Sequence, residues 1–171
     1  MATPELPVAD VFLPCGRLCL DLLTDPAGQS LREAVRFARE TRWDSVRSPH
    51  VFMGLLAAPD ECVSDWADRL GADLAKLLQQ FQELFFQDEG DPEPFLVLSR
   101  EFFSDNVIRL LRDSQQRARG HQRSRITSMD LLISLLTAKN SIVADCFERI
   151  GVTAAKLTEL AVIAEQQVRS E

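Results

Sequence analysis

The residues able to do chemistry in this chain are few, and they are poorly placed for catalysis. Its 171 residues include only two histidines, His50 and His121, and four cysteines, Cys15, Cys19, Cys62 and Cys146. Hydrolases of the Ser-His-Asp or Cys-His kind need a nucleophile, a base and an orienting group brought together, and these residues do not supply one set. Cys15-x-x-x-Cys19 has the spacing of half a zinc site, but no second Cys or His pair completes a tetrahedral shell. Neither a metal nor a cofactor is expected. No G-x-x-x-x-G-K-[ST] phosphate loop occurs, so these residues do not hydrolyse ATP in the P-loop manner. His50 follows Ser48-Pro49 with no second ligand in reach and reads as a structural histidine at a helix start.

Two clusters point to binding instead. Arg109, Arg112, Arg117, Arg119, Arg123 and Arg125 form a basic run in a chain of net charge −7. One reading is a solvated face, with Arg117 and Arg119 favourably near a helix C-terminus. The other is a surface for an anionic partner, an acidic peptide before nucleic acid, because no aromatic is interleaved to stack on bases. Phe95, Leu96, Val97, Leu98, Phe102 and Phe103 form a dense apolar cluster. It reads either as core or as the lining of a groove for a client segment. The candidate protein-binding residues are Leu96, Leu98, Phe102, Phe103, Arg117, Arg119, Arg123 and Arg125.

These clusters must be positioned by a repeated unit. Residues 48–77 laid over 128–157 without a gap are identical at 11 of 30 positions, among them Leu55/Leu135, Asp65/Asp145, Arg69/Arg149 and Gly71/Gly151. An echo at a fixed period of 80 residues sets the whole architecture. It predicts an all-α fold of two tandem four-helix repeats related by a pseudo-two-fold axis. The apolar segments flanking Pro14-Cys15-Gly16 read either as a short N-terminal hairpin or as an apolar arm lying on the helices. Ser30-x-x-Glu33 has the form of a capping box opening the first helix, and Thr24 to Gln29 reads as a loop. Ser48 with Pro49 suits the start of a buried helix. Asp60 caps the next, and Gly71 is the expected left-handed stop. Gly120 closes a helix from about Ser104, and Thr153 caps the last. Phe95–Leu98 is an extended segment able to pair with the hairpin. The boundaries expected are an arm at 1–29, repeats at 30–86 and 104–169, and an acidic linker at 87–103.

Met1–Asp10 lacks the basic-then-apolar layout of a secretory signal, and no apolar run is long enough to span a membrane. With cysteines in no disulfide or metal pattern, a cytoplasmic protein with reduced thiols is expected.

Gly120-His121, Ile126 and the Leu131–Leu136 helix resemble the Clp amino-terminal repeat. Val46–Leu56 resembles the middle block of the same pattern, and Leu70-Gly71-Ala72-Asp73 and Ile150-Gly151-Val152-Thr153 resemble its ending. The resemblance covers about 31–86 and 104–168. It implies the N-terminal domain of a Clp/Hsp100 AAA+ unfoldase or chaperone, a non-catalytic domain that recruits client proteins or an adaptor for an ATPase ring in cis or in trans. It also admits a free-standing Clp accessory protein, or the sheath-binding N-domain of a type VI secretion ATPase. A small nucleic-acid-binding regulator using the arginine-bearing helix is the reading from a different class. The family's Glu before its His is Pro49 in one copy and Met129 in the other, and Asp130 stands where His is usual. Relatives resembling ClpC hold phosphoarginine with those Glu residues. Neither Pro nor Met can pair a guanidinium, so that ligand is not expected here.

Overall fold

A computed structural model describes residues 10–170, with side chains through residue 168. The Pro-rich start falls outside this range apart from Asp10. Eight α-helices are found among the described residues: α1 (Asp25–Glu40), α2 (Ser48–Ala57), α3 (Glu61–Leu70), α4 (Leu74–Leu84), α5 (Asp105–Gly120), α6 (Ser128–Thr137), α7 (Ile142–Glu148) and α8 (Ala154–Ser170). The offset of 80 residues holds for the starts of α1/α5, α2/α6 and α4/α8, and for two 3-10 turns at Leu20–Leu22 and Arg100–Phe102. The fold is thus the expected all-α double repeat, and its symmetry reaches further upstream than the sequence echo.

Local chemistry explains most helix ends. The side chains of Asp60, Ser104 and Thr153 accept the amides of Val63, Val107 and Lys156 at 2.8, 3.3 and 3.1 Å, which satisfies donors the first turn leaves unpaired. Gly71 and its counterpart Gly151 take left-handed backbone, with φ of 77° and 90°, where a side chain would be strained.

Three boundaries differ from the sequence reading. First, α1 begins at Asp25, within the segment read as a loop. Thr24 caps it through the Ala27 amide, and Pro26 lies in the first turn, where its missing N–H costs nothing. Ser30 is therefore no cap: it is buried inside the helix, and its hydroxyl donates to the Ala58 carbonyl at 3.3 Å, while Glu33 pairs with Arg36. Second, Arg47 precedes α2 as its N-cap, and Ser48-Pro49 are its first two residues. Third, Gly120 ends α5 in helical conformation, and the left-handed residue is Gln122 (φ 59°), matched by Arg42 (φ 65°) in the first repeat.

The two repeats share one interior. Phe147 of α7 packs among Phe52, Trp66 and Phe81 of the first repeat, with ring centroids 5.9, 6.3 and 6.3 Å away, the first two edge-on. Trp66 is fully buried in α3, and its indole N–H donates to the Leu157 carbonyl of α8 at 3.1 Å. The segment before each first helix pairs with the opposite repeat. Leu23 forms a parallel bridge with Ile126, and Phe103 forms one with Val46. Four backbone hydrogen bonds of 2.7–3.0 Å hold this reciprocal exchange: Ile126 to Leu22, Thr24 to Ile126, Val46 to Phe102 and Ser104 to Val46. Neither repeat completes these pairings alone.

Candidate protein-binding site

The apolar cluster lies where the linker meets the N-terminal segment. Phe12 and Leu18 form an antiparallel bridge around the Pro14-Cys15-Gly16 turn, so the hairpin is present, in its smallest form. The linker strand pairs beside it: Arg17 bridges Ser99, Leu18 donates to the Leu98 carbonyl at 3.0 Å, and Arg100 donates to the Gly16 carbonyl at 2.8 Å. Extended backbone sends successive side chains to opposite faces. Leu96 is therefore in the core at 3% exposure, whereas Phe95 stands 75% exposed and Val97 42%; Phe103, beyond the 3-10 turn, is also buried at 6%. Leu98 and Phe102 are half-buried against the core. Leu13, on the hairpin, is 44% exposed. Leu96 and Phe103 thus support the surface from beneath and cannot themselves meet a partner, because packing with residues such as Phe12, 5.9 Å from Phe103, occludes them. The outward residues Phe95 and Val97 were readable only from a period-two alternation, which a run of four large apolar residues conceals.

The arginine run does not form one basic face. Arg117 donates to Asp130 at 2.7 Å and grips Glu165 with both terminal nitrogens at 2.9 and 3.0 Å. Arg123 is paired with Asp130 through two nitrogens. Asp130 is fully buried, and Glu165 nearly so. Burial alone would raise the Asp130 carboxyl; hydrogen bonds from Arg123, the Thr127 amide and Arg117 outweigh that and hold it below its ordinary value. Arg112 pairs with Asp10 at 3.2 Å, and Arg125 lies 3.9 Å from Asp25. Arg119 is exposed near the C-terminus of α5. Charges locked in internal pairs offer little to a polyanion. Sequence spacing could not show this, because Glu165 lies 48 residues from Arg117.

His50 is structural, as its isolation suggested. Its Nδ1 accepts the Arg47 amide at 2.9 Å, so its Nε2 carries the hydrogen and donates to the Thr41 hydroxyl at 3.0 Å. Thr41 in turn donates to the Phe37 carbonyl at 2.6 Å. Burial, helped by the Arg47 charge, lowers its pKa to about 3. Among the described residues no group of His, Cys, Asp and Glu side chains is arranged to hold a metal ion, and no helix is long and apolar enough to cross a membrane.

The Clp repeat (R) N-terminal domain family matches residues 102–170. No curated protein matches the sequence significantly. The N-terminal domain of the chaperone ClpD from Arabidopsis thaliana superposes with a TM-score of 0.66 at 18% identity, over 88% of this chain and 99% of that one. The Hsp104 N-terminal domain from Candida albicans gives 0.67 at 14% identity, over 82% and 89%. The ClpV N-domain, in complex with a VipB peptide, gives 0.63 at 18% identity, over 95% and 97%. Residues 102–170 thus match the Clp repeat (R) N-terminal domain family, and the chain as a whole has the double-repeat fold of the Clp N-domains.

Proposed function

We propose that this chain recruits client proteins or an adaptor to a Clp-type AAA+ ATPase ring, supplied in cis or in trans, and does no catalysis of its own. One observation carries the reading: Leu13 on the N-terminal hairpin, and Phe95 and Val97 on the linker strand paired beside it, present apolar side chains to solvent. Solvent-facing large apolar residues grouped on a scaffold are the usual mark of a protein contact. The half-buried Leu98 and Phe102 extend the patch, and the core residues Leu96 and Phe103 fix its backbone. The ClpV N-domain, which shares this fold, has been captured with a peptide of VipB. That likeness supports peptide binding here. Exposed Arg119 and Arg125 are left to steer acidic partners, while Arg117 and Arg123 serve the interior. The nucleic-acid reading loses support for the same reason. All four cysteines are free thiols, which suits the reducing cytoplasm.

The test is an anisotropy titration with fluorescein-labelled, reduced and carboxymethylated lactalbumin, a permanently unfolded client. Phe95→Glu with Val97→Glu is expected to weaken binding by about tenfold or more, a change of roughly 1.4 kcal/mol. Both side chains face solvent, so the thermal midpoint is expected to hold. Equal affinity of the variant and the parent overturns the proposal.

A further inference from the structure

A second surface arises from a difference between the two copies of one helix pair. In the first repeat α1 and α2 touch: a Cβ added at Gly54 would overlap the Ser30 carbonyl oxygen and sit 3.1 Å from the Ala34 amide nitrogen. Eighty residues on, Ser134 stands in place of Gly54, and Leu110 in place of Ser30. A residue with a side chain cannot approach that closely, so α5 and α6 are held further apart. Between them and the start of α7 runs a groove of about 590 Å3. Leu110, Ile133 and Leu135 form its floor but are themselves buried, and the exposed apolar side chain is Ile142, 47% exposed at the edge among polar residues such as Asn106, Gln116 and Thr137.

The rim carries the opposite sign to the chain as a whole. Arg109 and Lys139 are exposed, and no ion pair neutralises either among the described residues. Arg117, which also borders the groove, is already matched by Asp130 and Glu165. Asp113 is the one carboxylate on the lining among the described residues. An apolar floor with Ile142 exposed at its edge, beneath two unmatched cations, suits a partner that sets apolar side chains against Ile142 and carboxylates against Arg109 and Lys139. It does not suit nucleic acid, since no aromatic lines it for stacking. The volume falls within the range of about 300–1,000 Å3 typical of ligand sites, enough for a few side chains.

The geometry points to the α5–α6–α7 groove as a docking site for an acidic, leucine-bearing helical segment of another protein. The site shares no residue with the Leu13/Phe95/Val97 patch, so each reading stands or falls separately.

Two fluorescein-labelled peptides of roughly four helical turns test it, with leucines at i, i+3, i+4 and i+7 and flanking residues all Glu in one and all Lys in the other. The Glu peptide is expected to bind about tenfold tighter at low salt. Arg109→Glu, Lys139→Glu and Ile142→Glu combined should abolish that preference, and Lys139→Glu alone should reduce it, covering failure of the triple variant to fold. Phe95→Glu with Val97→Glu should leave it intact. Equal binding of the two peptides, indifference to the groove variants, loss on the patch variant alone, or tighter binding of a labelled oligothymidylate would each overturn the assignment.

Discussion

His50 and Asp130 occupy the same place at the start of α2 and α6, and each accepts the amide of the residue three before it at 2.9 Å. Around this shared framework the two repeats solve one packing problem with different chemistry. In the first repeat the Trp43 ring stands edge-on to the His50 imidazole at 5.6 Å and its N–H donates to the Phe85 carbonyl at 2.5 Å, while the Phe37 carbonyl takes the hydroxyl of Thr41, the other partner of His50. Eighty residues on, the same positions hold Arg117, Arg123 and Glu165, and the pocket that is aromatic in one copy is a balanced ion cluster in the other. Duplicated backbone thus carries side-chain sets that cannot be exchanged singly.

Removing one member of the ion cluster should be costly. Asp130→Asn leaves Arg117 and Arg123 short of a counter-charge, and loss of a buried partner typically costs about 3–5 kcal/mol. Arg36→Ala, which breaks exposed pairs with Glu33 and Glu40, should cost less than about 1 kcal/mol. Urea unfolding at neutral pH measures both. Because the folded carboxyl of Asp130 lies below its ordinary value of ~3.9, its contribution is fully present above that value. It is lost as pH falls through the folded one. The acid limb should therefore be shallower in the variant.

The neutral histidine gives a second pH dependence in a different window. His50 titrates at about 3 in the fold, against an ordinary value near ~6.5 in the unfolded chain. The unfolded state thus binds the extra proton between those values. Stability should be unaffected above the upper one and fall by up to about 1.4 kcal/mol per pH unit below it. His50→Gln should flatten that slope, read from unfolding midpoints across the window. NMR should show the imidazole neutral through mildly acidic pH.

Glycine substitutions separate close approach from backbone freedom. Gly54→Ala must push α1 from α2, since its Cβ would overlap the Ser30 carbonyl, and should destabilise by about 1–3 kcal/mol or more. Gly71→Ala has open space around it but φ of 77°, and should cost roughly 1–2 kcal/mol. Gly120 has open space and helical backbone, so Gly120→Ala should stabilise by about 0.4–1 kcal/mol. Thermal unfolding ranks the three.

Trp66 tests whether the repeats form one cooperative unit. Trp66→Phe keeps most of the ring but deletes the hydrogen bond to Leu157, at a cost of about 1 kcal/mol. Trp66→Ala should cost about 3–5 kcal/mol. With the cross-repeat bridges in place, one unfolding transition is expected whether followed in the first repeat or the second. Two separated transitions would show independent halves.

The helical plan was legible because caps, stops and apolar stripes recur at one period, and Asp60, Gly71, Ser104 and Thr153 do what their residue types suggest. The start of α1 was not, because Pro26 and Gly28 are loop residues by composition and are helical here through position. Which side chains of the apolar stretch face solvent was not legible either: of the residues expected to meet a partner, Leu96 and Phe103 point inward, whereas Phe95 and Val97 point outward. The partners of Arg117 and Arg123 come from other helices, so local spacing carried no trace of them.

A protein-recruiting seam is tested most directly by amide hydrogen exchange, with and without saturating reduced and carboxymethylated lactalbumin. Exchange is expected to slow at residues 95–98 and around Leu13 when the client binds. Saturated binding with unchanged exchange in both segments would contradict it.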